Sequence, residues 1–124
     1  MPLRVLIADD NDTMRSAIAR MLKENSDIEV VGVSTSYAQT LEMASTLKPD
    51  VVLLDLLMPD ERDFSTDEIK LHLLHNAGCV LAISIWNEPD AQTRADRLGA
   101  KLLLDKAELF AELKRAISFL SPPK

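Results

Sequence analysis

The chain has 124 residues, 47% hydrophobic and 27% charged, with 3 glycines: one ordinary domain with enough aliphatic surface for a core, and too short for two. A net charge of −6, from 14 basic and 20 acidic residues, argues against direct nucleic-acid binding through the bulk surface. No apolar run approaches the roughly 20 residues of a membrane helix, and Met1-Pro2-Leu3-Arg4 does not open like a signal peptide, so no membrane partner and a cytoplasmic location are expected.

In chain order, Leu3 to Ala8 is a branched apolar run that stops at Asp9-Asp10 and reads as a buried strand. Met14, Ile18, Met21 and Leu22 then recur at helical spacing, with Asp12 or Thr13 as the expected N-cap. Ile28 to Val33 is the second strand. A helix from about Tyr37 follows, with Leu41, Ala44 and Leu47 on one face, and Pro49 closes it. Val51 to Leu54 is an apolar third strand ending at Asp55, and Asp60 to Asp63 is a charged loop that reads as solvated. From about Ser65 a third helix is expected to turn Ile69, Leu73 and Leu74 inward, with His72 and His75 near its polar face. Val80 to Ile85 is the fourth strand, preceded by Cys79, which has no second cysteine to pair with and reads as a small core residue of a reducing compartment. Glu88 to Leu98 is a weak helix ended by Gly99, Lys101 to Leu104 a short fifth strand, and Leu109 to Leu120 an amphipathic last helix. Five strands alternating with helices predict an α/β fold: a parallel sheet with helices on both faces, whose ligands sit at the carboxyl ends of the strands.

Those strand ends carry Asp9-Asp10, Asp55, Ser84 and, just past the fifth, Lys106. Three converging carboxylates repel one another unless a cation joins them, and Mg²⁺, a hard oxygen-seeking dication, suits a few carboxylates plus water. With an ammonium and a hydroxyl opposite, the same site suits a phosphoryl group. Asp55 is then the candidate nucleophile, forming an acyl phosphate.

On these residues the chain resembles a response-regulator receiver domain. Arg4 to Asp10 resembles the family's opening strand and acid pair, Asp50 to Pro59 its acceptor segment, and Gly99-Ala100 followed by Lys106 its lysine-bearing segment. Asp27 to Val33 is similar to receivers linked to helix-turn-helix DNA-binding outputs. The resemblance implies a flavodoxin-like (βα)5 three-layer sandwich with strand order 2-1-3-4-5, a receiver over residues 1–121 and a tail at 122–124. It implies that Asp55 accepts the phosphoryl group, that Asp10, Asp55 and the Leu57 carbonyl ligate Mg²⁺, that Asp9 holds the metal's water, that Lys106 pairs with the phosphoryl group and that Ser84 moves toward it. The implied partners are a sensor histidine kinase or phosphotransfer protein, and a downstream protein target or a DNA-binding output domain absent from this chain, with a homodimer as a further candidate. No catalysis beyond the domain's own phosphotransfer and dephosphorylation is expected.

Four positions depart from the family: Asp63 where a glycine is usual, which predicts a different loop course; Ile85, which predicts a crowded site mouth; Leu103 where an aromatic switch residue is common; and Ala107 where proline usually follows the lysine. Leu57, Ile85 and Trp86 are expected to hinder the hydrolytic water and prolong the acyl phosphate. The competing readings are a pseudo-receiver that binds partners without phosphorylation, and a phosphatase using Asp10 and Asp12 in an Asp-x-Asp arrangement.

Overall fold

The computed structural model describes residues 2–84 and 90–120, with the side chains of 117–120 left out of account. The strands are β1 (Leu3–Ala8), β2 (Ile28–Ser34), β3 (Val51–Asp55), β4 (Cys79–Ser84) and β5 (Leu102–Asp105). The helices are α1 (Asp12–Lys23), α2 (Tyr37–Leu47), α3 (Thr66–Asn76), α4 (Ala91–Arg97) and α5 (Leu109–Leu120). All pairings are parallel, in the order β2-β1-β3-β4-β5, so the expected order holds, with the switch point beside β1 and β3.

Alternation along the strands divides the core in two. Leu6, Ala8, Val52, Leu54, Val80 and Ala82 pack with α2, α3 and α4 residues such as Leu41, Ile69 and Ala95. Val5, Ile7, Val51, Leu53, Leu81 and Ile83 pack with Ile18 and Leu22 of α1 and Leu109 and Leu113 of α5. Both faces of the central strands are thus covered, which is why they read as unbroken apolar runs. Burying one Leu or Ile side chain contributes about 1.5–3 kcal/mol.

The helix starts are set by side-chain caps. Asn11, not Asp12 or Thr13, caps α1: its Oδ1 accepts from the Met14 N–H at 2.9 Å. Ser36 caps α2, and Ser65 forms a reciprocal capping box with Glu68 on α3. At the far end of α2, Lys48 takes a left-handed conformation, φ 49°, so the helix closes one residue before Pro49.

Two expectations about burial need correction. Leu74 is 71% exposed; Ile69 and Leu73 already fill the inward stripe of α3, and Leu74 falls beside it. Cys79 is half-buried rather than enclosed. His72 and His75 are exposed, as expected. The start of α4 was expected at Glu88, which with Ile85 and Trp86 lies outside the described residues; the described helix begins at Ala91. The tail at 122–124 also lies outside them.

Gly78 admits β4 beside the loop before β3. A Cβ there would lie 2.5 Å from the carbonyl oxygen of Asp50, which already accepts the Cys79 N–H at 2.9 Å. Because the obstacle is backbone, Gly78→Ala should cost about 1–3 kcal/mol in denaturant unfolding. Gly32→Ala, whose Cβ would meet the movable end of Met43, should cost less.

Candidate functional site

Ile7 of β1 pairs with Leu53 of β3 on the face covered by α1 and α5. Side chains repeat every two residues along a strand, so the next pair on that face is Asp9 and Asp55. Both are buried, Asp9 at 0% and Asp55 at 2% exposure. Asp10, one residue on, turns outward and is exposed. One carboxylate oxygen from each of Asp9, Asp10 and Asp55 lies within 4.8 Å of the other two.

Lys106 enters this cluster from a 3-10 turn (Lys106–Glu108) directly after β5. Its Nζ donates to Asp55 Oδ2 at 2.9 Å and lies 3.4 Å from Asp9 Oδ2. The turn is held by Asp105, whose side chain accepts the Ala107 N–H at 2.9 Å. A proline at 107 would remove that donor, which gives the departure at Ala107 a structural reason.

The two carboxylates use their oxygens differently. Asp55 Oδ1 accepts the Leu57 N–H at 2.9 Å and Asp9 Oδ1 the Asn11 N–H at 2.9 Å. Asp9 Oδ2 is fully buried and, among the described residues, accepts no hydrogen bond; the Lys106 ammonium lies 3.4 Å away. Burial pushes the Asp55 carboxyl up to about 6, with the Asp9 charge adding to the rise, while the Leu57 N–H and Lys106 oppose it. For Lys106, burial acts downward, but the hydrogen bond and charge of Asp55 and the charge of Asp9 outweigh it and hold the ammonium above its ordinary value.

Those observations fit a divalent cation. Of three convergent carboxylates Lys106 pairs with two, Asp9 and Asp55, and among the described residues one buried oxygen lacks a hydrogen-bond donor. Oxygen donors with an exposed member suit a hard dication that keeps several waters.

Ser84 closes β4 and is 6% exposed, opposite Asp105 in register; among the described residues its hydroxyl is not hydrogen-bonded to the carboxylates or to Lys106. Leu57 is 37% exposed at the mouth of the site. The crowding expected from Ile85 and Trp86 falls outside the described residues. Asp12 is turned away: its carboxylate is 86% exposed and pairs with Arg15, which removes it from the position an Asp-x-Asp acid/base requires.

Beyond β3 the chain runs through the charged segment that ends at Asp63. Glu61–Asp63 forms a 3-10 turn, and no residue from 56 to 66 has a positive φ, so no glycine is needed at Asp63. Asp60 was expected to be solvated. Instead its two oxygens accept the Tyr37 and Ala38 N–H groups at 2.8 and 3.0 Å, tying the loop to the N-terminus of α2.

Residues 5–118 match the family described as the response regulator receiver domain. The chain belongs to that family. It is 36% identical over 115 residues to the response regulator GacA of Pseudomonas viridiflava, covering 93% of this chain and 53% of that protein. A protein-glutamate methylesterase/protein-glutamine glutaminase of Anaeromyxobacter dehalogenans is 34% identical over 112 residues, 90% of this chain and 32% of that protein. The receiver therefore spans about half, or less, of the curated relatives it matches. Among solved structures, the response regulator domain of Thermotoga maritima CheB superposes with a TM-score of 0.81 at 25% identity, covering 100% of this chain and 99% of that one. The receiver domain of NarL from Mycobacterium tuberculosis gives 0.82 at 27% identity, covering 99% and 98%. As a receiver, the chain is a module of two-component response regulators, with the flavodoxin-like sandwich of its neighbours.

The raised Asp55 value has a consequence for stability. Its folded value of about 6 lies above the ordinary 3.8, so between those pH values the folded protein holds a proton that the unfolded chain releases. Stability from this group is present below about pH 4 and lost as pH rises through 6. Metal-free Asp55→Asn should accordingly unfold at higher denaturant than the parent at pH 7.5, by about 1–3 kcal/mol, and the gap should close near pH 4. Equal midpoints at pH 7.5 would contradict the electrostatic reading.

Proposed function

We propose that this receiver is phosphorylated on Asp55 and that the modification, assisted by Mg²⁺, alters its contacts with other proteins. The observation that carries the reading is the Lys106 ammonium, 2.9 Å from Asp55 and 3.4 Å from the otherwise unpartnered Asp9 Oδ2. One fixed cation cannot balance three carboxylates and an incoming phosphoryl group, so the arrangement calls for a second, exchangeable cation.

In this reading Asp10, Asp55 and the Leu57 carbonyl hold Mg²⁺, and Asp9 holds one of its waters. The dication supplies charge neutralisation at the phosphoryl oxygens. A carboxylate oxygen of Asp55 attacks phosphorus while the bond from phosphorus to the donor breaks, either the P–N bond of a phosphohistidine or the acyl P–O bond of a small donor, and the leaving group departs with its electron pair. Lys106 exchanges its contact with Asp55 Oδ2 for one with a phosphoryl oxygen. Ser84, at the end of β4, then turns its hydroxyl toward another, and α4 shifts with it. Residues 1–121 act as the receiver unit and 122–124 as a tail.

The donor partner is a sensor histidine kinase or phosphotransfer protein; the recipient is a protein target or a DNA-binding output domain outside this chain, with dimer formation a further output. The relatives named as response regulators support that assignment. The domain acts in the cytoplasm, in keeping with the absence of any described helix long and apolar enough to cross a membrane. It catalyses only its own phosphotransfer and dephosphorylation.

Incubation with acetyl phosphate and Mg²⁺, read by intact-mass spectrometry, should add one phosphoryl group. Asp55→Asn or chelation with EDTA should abolish the addition, and Lys106→Ala should slow it by roughly 10²-fold or more. Binding of Mg²⁺ without any addition, from acetyl phosphate or from phosphohistidine, would identify a pseudo-receiver instead. The lifetime of the modified form then tests the shielding assigned to Leu57, Ile85 and Trp86: loss within seconds would refute it.

A further inference from the structure

The peptide joining Leu56 to Leu57 is gripped from both sides. Its N–H, on Leu57, donates to Asp55 Oδ1 at 2.9 Å. Its carbonyl, on Leu56, accepts the Tyr37 hydroxyl at 2.9 Å and also the Arg94 guanidinium. A peptide is planar, so fixing the carbonyl direction fixes the opposite N–H direction. The groups that hold the Leu56 oxygen therefore aim the Leu57 N–H at Asp55.

The two donors come from different helices. Tyr37 opens α2, is 2% exposed, and packs edge-on against Phe64 with ring centroids 6.5 Å apart. Burial holds its phenol above the ordinary value, which keeps it a donor at all physiological pH. Arg94 comes from the middle of α4. Its Nη2 also pairs with Glu61 Oε2 at 3.0 Å, in the turn after the acceptor strand. Both contacts use one nitrogen, Nη2, whose two N–H bonds diverge at a fixed angle in the guanidinium plane. Around Asp55, α4 is thus joined to the acceptor loop by a polar link. On β5, where the family often has an aromatic relay, Leu103 offers only an apolar, partly buried side chain.

We propose that Arg94 is a positioning residue for the acceptor site: by holding the Leu56 carbonyl and Glu61 together it sets the Leu56–Leu57 peptide against Asp55 and couples that peptide to α4. Movement of the loop on metal binding or phosphorylation is transmitted to α4 through this guanidinium, and displacement of α4 by a partner weakens the site in return, as linkage requires. The inference rests on the proposed metal and phosphoryl role of Asp55, but its first readout does not.

The test compares wild type, Arg94→Met, Arg94→Lys and Tyr37→Phe. Arg94→Met keeps most of the aliphatic stem and removes every donor. In metal-free protein, ¹H–¹⁵N spectra should show the Leu57 amide displaced in Arg94→Met and Tyr37→Phe, and nearer wild type in Arg94→Lys. Titration with Mg²⁺ should give affinity roughly tenfold weaker in Arg94→Met, partly recovered in Arg94→Lys. Addition of Mg²⁺ should shift α4 amides in wild type and leave them largely unmoved in Arg94→Met. A wild-type Leu57 amide and wild-type Mg²⁺ affinity in Arg94→Met would overturn the inference, even with Asp55 labelled normally. Failure of wild type to be phosphorylated would instead overturn the functional reading and leave the Leu57 and α4 shifts to decide the role of Arg94. If Arg94→Met does not fold, Arg94→Lys decides: α4 shifts as large as in wild type, with full Mg²⁺ affinity, overturn the claim for the planar fork, and reduced ones support it.

Discussion

Two carboxylates buried side by side on adjacent strands are the constraint around which this domain is built. Asp9 and Asp55 continue the same pleated face as Ile7 and Leu53, so the register that packs the core also forces the charges together. At an effective dielectric near 20, two unit charges about 5 Å apart repel by about 3 kcal/mol. Lys106 offsets part of this from a turn fixed by Asp105. Burial, with the Asp9 charge adding to it, still holds the Asp55 carboxyl above its ordinary value, and among the described residues Asp9 Oδ2 is left without a hydrogen-bond donor. Such a site leaves its resting state incompletely balanced, which suits it to a further cation.

Around that imbalance the scaffold is firm. The loop after β3 hangs from α2 through Asp60 and Tyr37 and from α4 through Arg94 and Glu61. Bracing by side chains replaces the conformational freedom that a glycine would give this loop. It also ties the loop to helices on the face opposite the one carrying Asp9 and Asp55. A domain whose charged centre is read out through a few polar contacts can couple a local chemical event to a distant surface without any large rearrangement of its core.

Most of the fold was legible because its strands are buried on both faces, and runs such as Val51 to Leu54 admit few other readings. The clustering of Asp9, Asp55 and Lys106 was legible too, since all three stand at or just past strand ends, where such folds gather their ligands. What escaped depended on contacts across long sequence separations. Asp60 reads as one more charge in an acidic loop, and only the approach of α2, 22 and 23 residues earlier in sequence, makes it a cap. Arg94 lies on a weakly patterned helix, and the acceptors it reaches in the loop after β3, 33 and 38 residues away, are a carboxylate and a backbone carbonyl. Composition could have raised suspicion of Asn11, a favoured cap, but the acidic run around it masked the choice between neighbours. Leu74 was misplaced because its helix carries more apolar residues than its inward stripe can use.

The central claim is that Asp55 is held in a charge environment completed only by a second cation. A carbon-13 NMR titration of the Asp55 side-chain carboxyl, without and with Mg²⁺, tests this most directly. The account predicts titration near pH 6 in the metal-free protein, moving well below the ordinary carboxylate range when Mg²⁺ is present. A metal-free midpoint at the ordinary 3.8, or one that Mg²⁺ leaves in place, would contradict it.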